Sequence, residues 1–130
     1  MAFVSQTSYD ARTKGILMKY IVRKTRKTDY PNPLILRKND IVETGKRCTE
    51  KGWEDWIMCT ANRVNGWVPV QYLEYQDEKH SIVIKDYEAT ELNIQKDEIL
   101  TGKEIINEWV WCSNGKKEGW VPLDNIIKIE

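Results

Sequence analysis

The sequence predicts an all-β chain built as two compact units in tandem. A motif reading W-x-x-C-x6-G-W-V-P occurs twice, from Trp56 to Pro69 and from Trp109 to Pro122, at a period of 53 residues. The match continues upstream, where Leu34 to Val42 parallels Leu92 to Leu100 at an offset of 58. The first copy therefore carries about five extra residues between Ile41 and Trp56. Apolar residues alternate over short runs bounded by turn residues, and no stretch has the 3.6-residue period of a helix. A chain of 130 residues suits one ordinary domain or two very small ones.

Met18-Lys19-Tyr20-Ile21-Val22 opens directly as a strand. Residues 1–17 have no counterpart before the second copy. They are expected to form a disordered tail whose removal leaves thermal stability nearly unchanged. Tyr30-Pro31-Asn32-Pro33 reads as a rigid turn feeding the strand at Leu34. Lys38-Asn39-Asp40 and Lys96-Asp97-Glu98 are polar turns between apolar runs. Alternation in Trp56 to Cys59 sets Ile57 and Cys59 inward, with Trp56 and Met58 outward. The same rule sets Val110 and Cys112 inward, with Trp109 and Trp111 outward. Asn65-Gly66 and Asn114-Gly115 read as hairpin turns. Pro69 and Pro122 end their strands, because proline cannot donate to the ladder. Residues 76–81 read as a polar linker. The units are then 18–75 and 82–130.

Charge is balanced overall, with 20 basic and 20 acidic side chains, but not locally. Residues 18–76 hold 11 basic and 7 acidic groups, a net +4, whereas residues 77–130 hold 7 and 12, a net −5. Opposite signs point to different partners or to attraction between the units. The three cysteines, Cys48, Cys59 and Cys112, are odd in number and lack C-x-x-C spacing, so neither a disulfide framework nor a metal site is expected. Cys59 and Cys112 are expected to be small buried core residues. His80 is the only histidine and sits in the linker with no nucleophile in reach. No glycine-rich phosphate cradle or hydrolase motif occurs. The expectation is a non-enzyme without catalytic residues or cofactor. The first residues contain no apolar signal segment, and no run of about 20 apolar residues exists. A reduced, cytoplasmic protein that does not engage a membrane is expected.

These residues together resemble the Src-homology-3 (SH3) family. In the second copy the resemblance rests on Val83-Ile84-Lys85-Asp86-Tyr87, Glu91-Leu92-Asn93-Ile94, Lys96-Asp97-Glu98-Ile99, Trp109, Gly119-Trp120-Val121-Pro122 and Leu123-Asp124-Asn125-Ile126. In the first it rests on Tyr20-Ile21-Val22, Leu34 to Val42, Trp56, Gly66-Trp67-Val68-Pro69 and Val70-Gln71-Tyr72-Leu73. The pattern also resembles small bacterial proteins described as variant SH3 proteins. The resemblance implies two five-stranded SH3-like barrels in tandem. It implies a binding or scaffolding protein that recognises a peptide or protein partner.

The resemblance also implies where ligand would sit. Trp56, Pro69 and Tyr72 would line the first groove. Tyr87, Trp109 and Pro122 would line the second, with Trp111 beside them. Lys85 and Asn125 replace two groove tyrosines in the second copy, and Val22 and Lys24 fall near the opening tyrosine positions of the first. The first groove is therefore expected to be the stronger, with Trp56 exposed. Replacing Trp56 by Ala is expected to weaken binding and cost little stability. Arg23-Lys24-Thr25-Arg26-Lys27 falls in the first copy's RT loop, where the family usually places acids. Arg23 and Lys24 would favour an acidic or phosphorylated ligand. Two alternatives stay open. One is a structural or regulatory module whose barrels contact each other or a second chain. The other is a nucleic-acid-binding protein acting through its basic first unit.

Overall fold

The computed structural model of the protein describes residues 17–28 and 32–129. The expected tail, apart from Leu17, and Tyr30 and Pro31 of the expected turn lie outside the described residues. Within them the chain is almost entirely strand and turn, with two short 3-10 turns. The strands are β1 (Met18–Val22), β2 (Ile35–Leu36), β3 (Ile41–Arg47), β4 (Trp56–Ala61), β5 (Val64–Pro69), β6 (Leu73–Asp77), β7 (His80–Val83), β8 (Tyr87–Glu88), β9 (Ile99–Ile106), β10 (Trp109–Ser113), β11 (Glu118–Pro122) and β12 (Ile126–Ile129). Pro69 and Pro122 each close a strand, as expected. Each leads into a 3-10 turn, Val70–Tyr72 or Leu123–Asn125.

The chain divides into two compact units. The split barrel draws its described residues from 17–28 and 91–129, and its sheet runs β11-β10-β9-β1-β12. The inserted barrel is formed by 32–90 and runs β5-β4-β3-β7-β6, with β2 and β8 paired separately. In the split barrel an isolated bridge between Arg26 and Ile94 stands where the inserted barrel has its β2–β8 pair.

This arrangement differs from contiguous barrels over 18–75 and 82–130, because the two repeats exchange their first strands. β1 opens the first repeat, yet it pairs Ile21 with Ile99 on one side and with Ile127 on the other. β7 opens the second repeat, yet it pairs Ile82 with Ile41 and with Glu74. The cause is local. Residues 76–81 are not a linker but a hairpin, with Asp77 paired to His80 across Glu78 and Lys79. A connection this short joins only adjacent antiparallel strands. While that hairpin persists, β7 stays with β6 in the first repeat's sheet, and β1 takes the corresponding position in the second. The exchange also redistributes charge. The split barrel holds 10 basic and 7 acidic groups, a net +3, and the inserted barrel 8 and 10, a net −2.

Each barrel closes over its own core. Tyr20, Val22, Leu92, Ile94, Leu100, Val110, Cys112, Val121 and Ile126 form that of the split barrel. The inserted barrel fully buries Leu34, Leu36, Val42, Cys59, Val68 and Val83. Burial pushes the Cys59 thiol up to about 11 and that of Cys112 up to about 12, so both stay protonated and behave as small apolar groups.

One turn differs from expectation. The β4–β5 hairpin turns at Asn62-Arg63, both at positive φ (52° and 68°), and Asn65-Gly66 lies inside β5. Gly66 is required there for space, since a Cβ would lie 2.9 Å from that of Leu34. Asn114-Gly115 does sit between β10 and β11, where the Asn114 side chain accepts bonds from the N–H groups of Lys116 and Lys117. The turns at Asn39 and Asp97 match each other at φ 80° and 78°.

Candidate ligand-binding surface

In the inserted barrel, Trp56 and Pro69 are paired in register on β4 and β5. The following 3-10 turn carries Tyr72, and β8 brings Tyr87 from the second repeat. The Tyr87 ring meets Tyr72 edge-on at 5.5 Å, and its hydroxyl donates to the Trp67 carbonyl at 2.9 Å. The Lys85 ammonium lies 5.2 Å from the centre of the Tyr72 ring. Strand exchange thus puts Trp56, Pro69, Tyr72 and Tyr87 into one barrel, although the sequence divided them between two grooves.

The expected exposure of Trp56 is corrected. It does occupy the face opposite Cys59, but it retains 7% exposure, and Tyr72 and Tyr87 are equally buried. The Trp53 ring, from the long β3–β4 loop, lies 6.4 Å from that of Trp56. The accessible aromatic surface of this barrel includes the indoles of Trp53 and Trp67, at 41% and 38% exposure, and Tyr75 on β6, at 72%. Trp67 pairs with Met58, two residues along from the Trp56–Pro69 pair, and so shares their face. Neither Trp53 nor Trp67 was among the residues expected to line a groove. Two-residue alternation back from Pro69 was the signal available for Trp67. Trp53 had none, because a loop carries no periodicity.

The split barrel is organised differently. Trp109 pairs with Pro122 and is likewise buried. The Arg26 guanidinium lies 5.2 Å from its ring centre and forms a 2.6 Å ion pair with Glu91. Arg26 thus stands at the position equivalent to Tyr87, given the 61-residue offset between β1 and β7. Trp111 packs edge-on against Trp120 at 5.2 Å, and its indole N–H donates to Glu118. The Lys103 ammonium bond, then this indole bond, hold the Glu118 carboxyl below the usual carboxylate range.

Arg23 and Lys24 belong to the split barrel, not to the barrel of Trp56. The Arg23 guanidinium donates to the Asp124 carbonyl at 2.7 Å, and the Asn125 amide donates to the Lys24 carbonyl at 3.1 Å. Within a unit, then, the basic stretch accompanies Trp109, Trp111 and Pro122. Among the described residues no three His, Cys, Asp or Glu side chains gather as a metal site. His80 lies in the β6–β7 hairpin with its Nδ1 3.0 Å from the Asp77 carboxylate.

A family model for the variant SH3 domain matches residues 19–76 and again residues 80–129. The chain belongs to the variant SH3 domain family. Both matches follow the sequence repeats, whereas the barrels cut across them: β1 lies in the first match and β7 in the second. Variant SH3 membership brings a general binding or scaffolding role, in modules that are typically non-catalytic. A search of curated proteins finds no match.

Proposed function

We propose that this variant SH3 protein is a non-enzymatic binding module whose inserted barrel docks an extended segment of a protein partner on Trp53 and Trp67. The observation that carries this reading is the exposure of both indoles in the barrel that also holds Trp56, Pro69, Tyr72 and Tyr87. Indoles offer large, rigid contact area at low entropic cost and dominate interface hot spots. The buried Trp56, Tyr72 and Tyr87 then serve to hold that surface rather than to touch ligand. The inserted barrel is net negative, and Glu54, Asp55, Asp86 and Glu88 are among its acids. A basic residue beside the partner's apolar anchors fits it better than the acidic or phosphorylated group that Arg23 and Lys24 would have favoured.

A displayed random-peptide library selected on the full chain tests this. Peptides combining apolar and basic residues are expected to enrich. Trp67→Ala should weaken them by about 2 kcal/mol, the scale of a hot spot, and Trp111→Ala in the split barrel should leave them unchanged. Enriched peptides that bind Trp53→Ala and Trp67→Ala as well as the parent would remove the site. A selection that enriches nothing would remove the reading.

A further inference from the structure

The two first strands are not interchangeable, and the difference lies in one inward side chain each. β1 points Tyr20 into the split barrel, where it is 4% exposed, and β7 points Ser81 into the inserted barrel at 5%. These positions are equivalent, since Tyr20 pairs with Leu100 and Ser81 with Val42 at matching points of the repeat. The neighbouring residue on the receiving strand differs in the opposite sense. Beside Tyr20 it is Gly102, where a Cβ would lie 2.5 Å from Cε2 of the tyrosine ring and 2.9 Å from Cγ1 of Val110. Beside Ser81 it is Thr44, whose hydroxyl donates to the serine oxygen at 3.0 Å.

We propose that the pairs Tyr20–Gly102 and Ser81–Thr44 form a size-and-polarity code that selects the exchanged strand pairing over the contiguous one. In contiguous barrels Tyr20 would meet Thr44. Even a bare Cβ at the equivalent position of the split barrel would overlap a ring placed as Tyr20 is. Ser81 would meet Gly102, leaving a ring-sized void and a buried hydroxyl without its partner. Overpacking in one barrel and a void with an orphaned polar group in the other both act against the contiguous form. The short β6–β7 hairpin and this code favour the same pairing by independent means.

Disulfide trapping in the full chain, in a Cys48→Ser background, reads which sheet β1 occupies. Lys19 lies opposite Thr101, with its ammonium 2.8 Å from the threonine hydroxyl. Residues paired directly across strands come within disulfide range. Lys19→Cys/Thr101→Cys should cross-link within one chain. Lys19→Cys/Glu43→Cys, which reports the contiguous pairing, should not. Exchanging the receiving residues, Thr44→Gly with Gly102→Thr, makes the contiguous pairs the matched ones. The Glu43 cross-link should then gain at least about tenfold over the Thr101 cross-link, the ratio that 1.4 kcal/mol supplies. Should that chain fail to fold, adding Tyr20→Ser and Ser81→Tyr should recover folding together with the Thr101 cross-link. The proposal is overturned if the Thr44→Gly/Gly102→Thr chain keeps the Thr101 cross-link and the parental melting temperature. Failure of the fourfold variant to recover also overturns it.

Discussion

Trp56 and Trp109 mark the repeat in the sequence, and in the folded chain they are packing residues. Each pairs with a proline in register, and each stays below a tenth of its full exposure. Trp109 lies under a guanidinium that is itself tied to Glu91. Removing a buried indole leaves a cavity, and such truncations cost about 3–5 kcal/mol. Trp56→Ala is therefore expected to lower stability by that amount, contrary to the small effect that an exposed groove residue would show. Urea denaturation measures it, and a loss below about 1 kcal/mol would return Trp56 to the surface. Cys59 and Cys112 were legible from alternation alone, because an inward position on a strand admits few residue types.

At the level of strands and turns, the repeats use different hairpins for equivalent tasks. β4 and β5 turn tightly at Asn62-Arg63, whereas β10 and β11 take the wider path through Asn114 to Lys117. β9 and β10 turn tightly at Asn107-Glu108, while β3 and β4 are joined by the long loop that carries Trp53. The tight turn at Asn107-Glu108 has φ of 47° and 74°, the pattern of a type I′ turn. Glutamate in the left-handed region costs roughly 1 kcal/mol relative to glycine. Glu108→Gly should accordingly raise the melting temperature by a few degrees. A fall on thermal denaturation would mean that the glutamate side chain contributes more than its backbone strain costs. Asn65-Gly66 resembled a turn in sequence because that dipeptide suits one, but the Leu34 contact gives its glycine a different reason to be there.

Across the whole molecule, sequence repeat and folding unit are separate divisions of one chain. The inserted barrel is a continuous segment, with all five strands of its sheet between residues 41 and 83 and its β2–β8 pair at the ends. The fragment 30–90 should thus fold alone with a cooperative thermal transition. The fragment 19–76, which matches the family model, lacks β7 and carries the mismatched β1. It should melt lower and less cooperatively by circular dichroism. Equal transitions for the two fragments would show that the repeat, not the inserted barrel, is the autonomous unit. The exchange also reverses the electrostatic division: the basic stretch 23–27 joins the second repeat's acidic strands and leaves the inserted barrel net negative.

The SH3 resemblance supplied the count of five strands per barrel, and the sequence by itself determined the strand content, the presence of two repeats, the inward cysteines and the prolines that end β5 and β11. These follow from alternation, turn chemistry and the 53-residue repeat, all of which act over a few neighbours. Only the tertiary structure decided which copy of the first strand enters which sheet. β1 and β7 share the Ile-Val pair at Ile21-Val22 and Ile82-Val83 and the same alternation of faces, so pattern alone accepts either partner. The choice depends on the two-residue turn at Glu78-Lys79 and on how Tyr20 and Ser81 fit Gly102 and Thr44, contacts between residues 37 to 82 positions apart. For the same reason the candidate surface changed its residues: Tyr87 reaches the barrel of Trp56 only through exchange, and Arg23 and Lys24 leave that barrel with β1.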